Sequence, residues 1–144
     1  MKLVGINGDG TLMEGTGPLP EAARSVVEST VQLYSRVGWS NPWIGYLAFE
    51  GQECVGTCAF TGAPRDGVVE IAYFTFPNHE GRGVATRMAE NLISMAQMSA
   101  PEVSVTAHTL PTENASTRIL RKLGFERVGQ RVHPEDGTIW VWRH

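Results

Sequence analysis

The chain has 144 residues, a net charge of −3 at pH 7 and a pI of about 5.8. A chain of this length buries about 68–70% of its unfolded surface, enough for one compact domain over residues 1–144. The small negative charge argues against nucleic acid as a partner, and no apolar run approaches the ~20 residues that span a bilayer. The N-terminus has no charged n-region followed by an apolar h-region, so we expect no signal peptide. We therefore expect a cytoplasmic protein without a membrane partner, as a monomer or a homodimer.

Apolar periodicity and turn residues predict a mixed sequence of helices and strands. Residues 1–18 are rich in Gly and Thr and contribute at most one short strand, and Pro20 then opens a helix that ends near Gly38. The remaining predicted elements are strands at about 43–50, 54–61 and 68–76, a helix at about 82–99, a strand at about 102–108, a short helix from Asn114 and two final strands. The strand–helix–strand step from 68 to 108 predicts a right-handed parallel crossover after an antiparallel meander.

The most informative segment joins the third main strand to the long helix. The strand ends at Pro77, and Glu80-Gly81-Arg82-Gly83-Val84-Ala85 follows before the helix. The two glycines let the backbone approach a ligand closely, and the first N–H groups of a helix have no intrahelical partners. Strand, glycine turn and helix together predict a phosphate or pyrophosphate site.

Two common nucleotide motifs do not fit this segment. A P-loop requires Lys-Ser or Lys-Thr after the glycines, which is absent here. A dinucleotide fingerprint would place its third glycine at Thr86, and no acidic residue follows at the required distance.

The segment instead resembles the coenzyme A loop of the GNAT acyltransferase superfamily, whose pattern is Gln/Arg-x-x-Gly-x-Gly/Ala. Glu80 departs from the first position and brings an acidic side chain to the pyrophosphate. A second segment, TENASTRILRKLGF at 112–125, resembles the superfamily's Asn-x-x-Ser run and Lys-x-Gly-Phe helix end. Its matching residues are Asn114, Ser116, which lies one residue nearer to the asparagine than in many members, Lys122, Gly124 and Phe125. Over residues 43–144 the chain is most similar to the branch that includes ribosomal-protein N-terminal acetyltransferases.

The resemblance implies an α/β (α+β) fold with a mixed, mostly antiparallel sheet of six to seven strands and helices on both faces. In this family the two central parallel strands splay apart, and the pantetheine arm of the coenzyme lies between them. The coenzyme contacts expected from the resemblance are Phe74, Thr75, Phe76, Gly81, Arg82, Gly83, Val84, Ala85, Thr86 and Asn114.

The implied activity is transfer of an acetyl group from acetyl-coenzyme A to a primary amine by direct attack. The sequence does not identify the acceptor, which is a small molecule or a protein N-terminus. The alternative is a catalytically degenerate module that binds acyl-coenzyme A and regulates a partner. Glu80 and Leu120 keep that alternative open, because Leu120 occupies the place where many relatives have a tyrosine acid.

Three side chains are candidates for the chemistry. Glu70 opens the third main strand, where several members of the family carry a general base; the other interpretation is a strand-edge glutamate paired with an arginine. Ser116 is the candidate for steering or protonating the thiolate, or else it only caps its helix. His108 ends the strand opposite the expected splay, where a histidine is more often structural.

The cysteines and histidines do not predict a metal site. Cys54 and Cys58 lie four apart in a strand, so we expect buried free thiols rather than a disulfide. The four histidines have no zinc-like spacing with one another or with the cysteines.

Overall fold

A computed structural model describes all 144 residues as seven strands and three α-helices. In chain order these are β1 Lys2–Gly5, α1 Glu21–Val37, β2 Gly45–Glu50, β3 Glu53–Phe60, β4 Val68–Thr75, α2 Val84–Ser99, β5 Ser104–Thr109, α3 Ala115–Lys122, β6 Glu126–His133 and β7 Gly137–Arg143. The strands form one sheet in the order β1-β2-β3-β4-β5-β7-β6. Every neighbouring pair is antiparallel except β4 and β5, which are parallel. The predicted fold class is confirmed.

Two predicted boundaries shift for local backbone reasons. Helix α2 begins at Val84 rather than near residue 82, because Gly83 has a left-handed φ of 75° that cannot continue a right-handed helix. Strand β5 begins at Ser104 rather than at 102, because the N–H of Val103 bonds to the carbonyl of Ala100 in a turn. The first residues form β1, which pairs with β2 at the sheet edge.

Helices α1 and α2 lie on opposite faces of the sheet. A Cβ added to Gly45 would meet Thr30 of α1 at 2.8 Å, whereas one added to Gly56 would meet the Met88 side chain of α2 at 3.1 Å. Gly45 pairs with Ala59, three residues from Gly56, so alternation puts the two glycines on opposite faces. None of the helices combines the length and apolarity that crossing a membrane requires.

The parallel pairing between β4 and β5 is short. The ladder joins Val68 to Ser104, Val69 to Val105 and Glu70 to Thr106, and it ends there. Strand β4 continues to Thr75 while pairing only with β3, and β5 continues to Thr109 while pairing only with β7. The central strands therefore separate beyond Glu70, which leaves one edge of β4 open.

Candidate active site

A cavity of about 550 Å³ lies where β4 ends and where α2 and α3 begin. We call it the loop cavity. It is lined by Tyr73, Phe74, Thr75, His79, Glu80, Gly81, Gly83, Val84, Ala85, Thr86, Ala115, Ser116 and Ile119. Seven of the predicted coenzyme contacts are among these residues, so the two sequence motifs meet in one place.

Where residues 81–86 line the loop cavity, the backbone rather than side chains offers most of the polar groups. Gly81 and Gly83 have φ values of 77° and 75°, which few other residues adopt. No carbonyl of the chain accepts a backbone hydrogen bond from the N–H groups of residues 81–86, whereas the N–H of Arg87 bonds to the carbonyl of Gly83 at 3.1 Å. A run of free donors at a helix N-terminus is a site for an anion such as a pyrophosphate.

Three predicted coenzyme residues do not line the loop cavity. Phe76 is buried and packs edge-on against Phe74, with the ring centroids 6.2 Å apart. The Arg82 side chain borders a neighbouring cavity, and its carbonyl accepts a hydrogen bond from Arg87 at 3.0 Å. Asn114 caps α3, because its side chain accepts a hydrogen bond from the N–H of Thr117 at 3.0 Å. Coenzyme contacts for these three stay predictions.

Arg87, another arginine near the loop, is held between an acidic partner and the backbone of the loop. Its Nε donates to Glu50 Oε1 at 2.8 Å, and the same side chain reaches the Arg82 carbonyl. This arrangement ties the first turn of α2 to the end of β2. Arg87 therefore supports the glycine loop from outside.

Two polar residues of the loop cavity were missed by sequence reasoning. Tyr73 lies in the apolar run of β4, where it reads as an ordinary core residue, and burial raises its pKa to about 12. His79 lies between the strand and the glycines, and its Nδ1 is buried without a hydrogen-bond partner. A buried unpartnered nitrogen is available to a polar group of a ligand.

At the start of α3, one residue caps the helix and a different residue faces the loop cavity. Asn114 is the N-cap and Thr117 completes a capping box, so Ser116 is not needed as a cap. Ser116 is exposed and lines the loop cavity. Leu120 is fully buried in the core and does not line the loop cavity.

Glu70 lies at the last rung of the parallel ladder and contacts three other side chains. Its Oε2 is 2.9 Å from His108 Nδ1 and 3.5 Å from an Arg131 nitrogen, and its Oε1 accepts a hydrogen bond from Thr61 at 3.2 Å. The Glu70 side chain is 24% exposed and that of His108 is 26% exposed. Glu70 is thus paired mainly with a histidine rather than with an arginine.

His108, His133 and Asp136 each bring one potential metal-ligand atom within 4.8 Å of the others. His108 Nε2 is 3.5 Å from Asp136 Oδ2. However, His133 Nδ1 already accepts the backbone N–H groups of Glu135 and Asp136, at 3.2 and 3.3 Å. Those bonds account for the position of His133 as part of the β6–β7 turn, and the absence of a metal site stays a prediction.

A second cavity, of about 730 Å³, contains Glu70. We call it the arginine cavity, because Arg36, Arg65 and Arg131 line it and Glu70 is its sole carboxylate. Residues 68–70 of β4 line this cavity and residues 73–75 line the loop cavity. At about 3.3 Å per residue, Glu70 and Tyr73 are separated by ~10 Å along the strand.

Family comparison agrees with this arrangement. A family model described as an acetyltransferase (GNAT) domain matches residues 3–126. The chain belongs to the GNAT acetyltransferase family. An uncharacterised N-acetyltransferase, p20 of Bacillus licheniformis, is 31% identical over 81 residues, which are 56% of this chain and 46% of that protein. The match therefore spans less than half of the relative's length.

Solved structures of other acetyltransferases share the fold of this GNAT domain. RimL, a ribosomal L7/L12 alpha-N-protein acetyltransferase solved with coenzyme A, has a TM-score of 0.66 at 18% identity over 86% of this chain and 71% of its own. A ribosomal-protein-S5-alanine acetyltransferase from Vibrio fischeri has a TM-score of 0.65 at 16% identity, over 87% and 71%. The aminoglycoside acetyltransferase AAC(6')-Ib with coenzyme A has a TM-score of 0.59 at 23% identity, over 70% of this chain and 65% of its own.

The residues of the loop cavity fit the coenzyme that is typical of the family. The free N–H groups of residues 81–86 suit a pyrophosphate. The open edge of β4 beyond Glu70 suits an extended amide-bearing chain, since exposed strand edges pair with such chains. His79 Nδ1 adds one unpartnered polar atom.

Proposed function

We propose that the chain is an N-acetyltransferase that moves an acetyl group from acetyl-coenzyme A to a primary amine. One observation carries this proposal. The loop cavity and the arginine cavity lie along the same strand, and Glu70 lines the second of them at the rung where β4 and β5 separate. A coenzyme in the first cavity and an acceptor in the second would meet beside a carboxylate–histidine pair.

Acetyl-coenzyme A, when bound, supplies the thioester carbonyl that the amine attacks. The N–H groups of residues 81–86 hold its pyrophosphate, with Gly81 and Gly83 keeping side chains out of the way. Phe74 and Thr75 line the path beside the open edge of β4. Phe76, Arg82 and Asn114 remain proposed contacts of the coenzyme, although the loop cavity does not include them.

The Glu70–His108 pair is the proposed acceptor of the amine proton. A lysine-like amine with a pKa near 10.4 costs ~4.6 kcal/mol to deprotonate at pH 7, at 1.36 kcal/mol per unit. An α-amino group with a pKa near 7.7–8.0 costs only ~1 kcal/mol on the same scale. The hydrogen bond between Glu70 Oε2 and His108 Nδ1 fixes the imidazole ring and lets the pair share a proton.

Ser116 is the proposed donor to the leaving thiolate. It lines the loop cavity from the first turn of α3 and is free of a capping role. Tyr73 is a second hydroxyl in the same cavity, and its raised pKa of about 12 keeps the phenol protonated at neutral pH. Either hydroxyl can donate a hydrogen bond to the leaving thiolate, which takes its proton from solvent or through that hydroxyl as a relay; the N-terminus of α3 beside Ser116 would also stabilise the negative charge on the sulfur.

A second candidate function is supported by two departures from the family pattern. Leu120 is buried where many relatives carry a tyrosine acid, and Glu80 lines the loop cavity in the place of a neutral or basic residue. Both departures fit a module that binds acyl-coenzyme A without turnover.

One assay separates these two functions. We expect thiol release from acetyl-coenzyme A in the presence of a panel of primary amines, with loss of release in Glu70→Gln. Coenzyme-induced thermal stabilisation without release for any amine, at protein concentrations high enough for single turnover, would establish the binding module instead.

A further inference from the structure

We infer that the acceptor of this enzyme is an anionic amine: a primary amine that also carries a carboxylate or phosphate. The inference rests on the proposed transferase function and concerns the arginine cavity. A free amino acid and the acidic N-terminal end of a peptide share this chemistry. Polycationic amines lack it.

Three separate elements deliver the positive charge. Arg36 lies in the last turn of α1, Arg65 in the loop between β3 and β4, and Arg131 in β6. The chain as a whole is acidic, with a net charge of −3, so the charge of this cavity opposes that of the molecule. Like charges that line one cavity repel each other until an anion neutralises them.

Two of the three arginines are free to take such an anion. Arg36 and Arg65 form no ion pair within the chain. Arg131 contacts Glu70 at 3.5 Å, which is longer than a good charge-assisted hydrogen bond. A guanidinium binds carboxylate and phosphate oxygens through two parallel hydrogen bonds, so these side chains select the anion type as well as its charge.

The same cavity can hold both ends of an anionic amine. Glu70 supplies the negative group that attracts the amine, and the arginines supply the positive groups that attract the acid. A volume of about 730 Å³ falls in the range of ~300–1,000 Å³ that is usual for small-ligand sites, which leaves room for more than one residue of a peptide. A polycation would be repelled by three arginines and attracted by only one glutamate.

The test uses sets of amines of similar length whose net charge differs. The small-molecule arm compares 4-aminobutyrate, 1-aminobutane and 1,4-diaminobutane, and the peptide arm compares Ala-Asp-Asp, Ala-Ala-Ala and Ala-Lys-Lys as C-terminal amides. We expect kcat/KM to be at least ~10-fold higher for the anionic member of at least one arm, since hydrogen bonds to charged groups discriminate by that order. The arm with the larger preference identifies the source of the acid.

Variants assign that preference to the cavity. Arg36→Gln and Arg65→Gln should each raise KM for the anionic amine ~10-fold, leave kcat nearly unchanged and leave the neutral amine unaffected. Arg24→Gln is the matched control, because Arg24 lies on the same helix but bonds to the carbonyl of Leu19 outside the cavity. Added salt should weaken the preference.

Calorimetric titration of the same amines into the coenzyme A-loaded protein measures the preference without turnover. Equal binding of anionic, neutral and cationic amines, or tighter binding of 1,4-diaminobutane and Ala-Lys-Lys, overturns the inference. So does an equal loss for neutral and anionic amines in Arg36→Gln and Arg65→Gln. Turnover without any charge preference leaves the transferase function intact and removes only the anionic acceptor.

Discussion

His108 Nδ1 lies 2.9 Å from Glu70 Oε2, at the rung where the parallel strands separate. The two residues are 38 positions apart, and they meet because Glu70 pairs with Thr106, so His108 lies two residues further on the same face. A carboxylate that orients an imidazole forms a proton-accepting unit. The imidazole ring extends this unit further toward an amine than the carboxylate alone would.

We predict that Glu70→Gln lowers kcat ~10²–10⁴-fold, because the amide cannot accept a proton, while coenzyme binding stays nearly unchanged. His108→Asn should also lower kcat, and the double variant should lose much less than the product of the two single effects if the pair acts as a unit. The control is Glu102→Gln, at an exposed turn before β5. Near-normal turnover in Glu70→Gln would leave Glu70 with a structural role, and deprotonation would fall to water or His108.

The glycine loop should control coenzyme binding through its backbone shape. Coenzyme A at 100 times its Kd stabilises the fold by ~2.7 kcal/mol, a shift of about 5–11 °C for a chain of this size. Gly83→Val should abolish the shift, because a branched side chain displaces the left-handed residue that presents the free N–H groups.

Gly51→Val is the matched control for that change. Gly51 also has a positive φ, of 62°, but it lies in the turn between β2 and β3, away from the loop cavity. Both variants lose intrinsic stability from backbone strain, about 1–2 kcal/mol each. In thermal unfolding, coenzyme A should still raise the melting temperature of Gly51→Val but not that of Gly83→Val. A full coenzyme-induced shift in Gly83→Val would contradict the assignment of the loop.

The negative charge of Glu80 should weaken coenzyme binding relative to a neutral residue at that position. It is exposed and lines the loop cavity beside the free N–H groups, so its charge repels a pyrophosphate. We predict that Glu80→Gln tightens coenzyme A binding roughly 2–5-fold at low ionic strength, and that the gain shrinks at high salt. Glu90→Gln, an exposed position on α2, is the control for a general change in charge. A variant that binds no more tightly would indicate that the Glu80 carboxylate points away from the ligand.

Local patterns predicted most of the fold and the loop, whereas the contacts around Glu70 were out of reach. The turn at Gly81 and Gly83 could be predicted because a strand, a glycine pair and a helical pattern follow one another along the chain. The Glu70–His108 contact depends on how β4 and β5 are registered, and the grouping with His133 depends on the registers of β5, β7 and β6. Sequence spacing carries no information about such register, so these histidines read as isolated.

The helix cap illustrates a different limit. Both Asn114 and Ser116 are good N-cap residues, and the sequence cannot choose between them. The choice depends on where α3 starts, and the structure starts it at Ala115 with Asn114 as the cap. That one-residue decision also determines which side chain is free to face the loop cavity.

The thiols should be unreactive in the folded protein. Burial raises the pKa of Cys54 to about 11 and that of Cys58 to about 12, and both are free, as predicted. Since the thiolate is the nucleophile, iodoacetamide should label neither at pH 8, and both should react in urea. Because the folded pKa values lie above the ordinary value of 9.0, the fold favours the protonated thiols. Their contribution to stability is complete below pH 9 and is lost as the pH rises through 11 to 12. Rapid labelling of the native protein would contradict this burial.

Ser116 and Tyr73 can be separated as proton donors by removing one hydroxyl at a time. Both line the loop cavity, but Ser116 lies in the first turn of α3, where a developing thiolate is stabilised. We predict that Ser116→Ala lowers kcat roughly 10²-fold with little change in coenzyme binding, and that Ser116→Thr restores part of it. Tyr73→Phe, which removes the other hydroxyl, should have a smaller effect.

The pH profile gives an independent measure of the same assignment. Burial raises the pKa of Tyr73 to about 12, so its phenol stays protonated throughout the assay range and its loss should remove no limb of the profile below pH 11. If Tyr73→Phe instead abolishes turnover while Ser116→Ala retains it, Tyr73 is the donor. In that case the strand beside the coenzyme supplies the acid that relatives take from the position of Leu120, which is buried here.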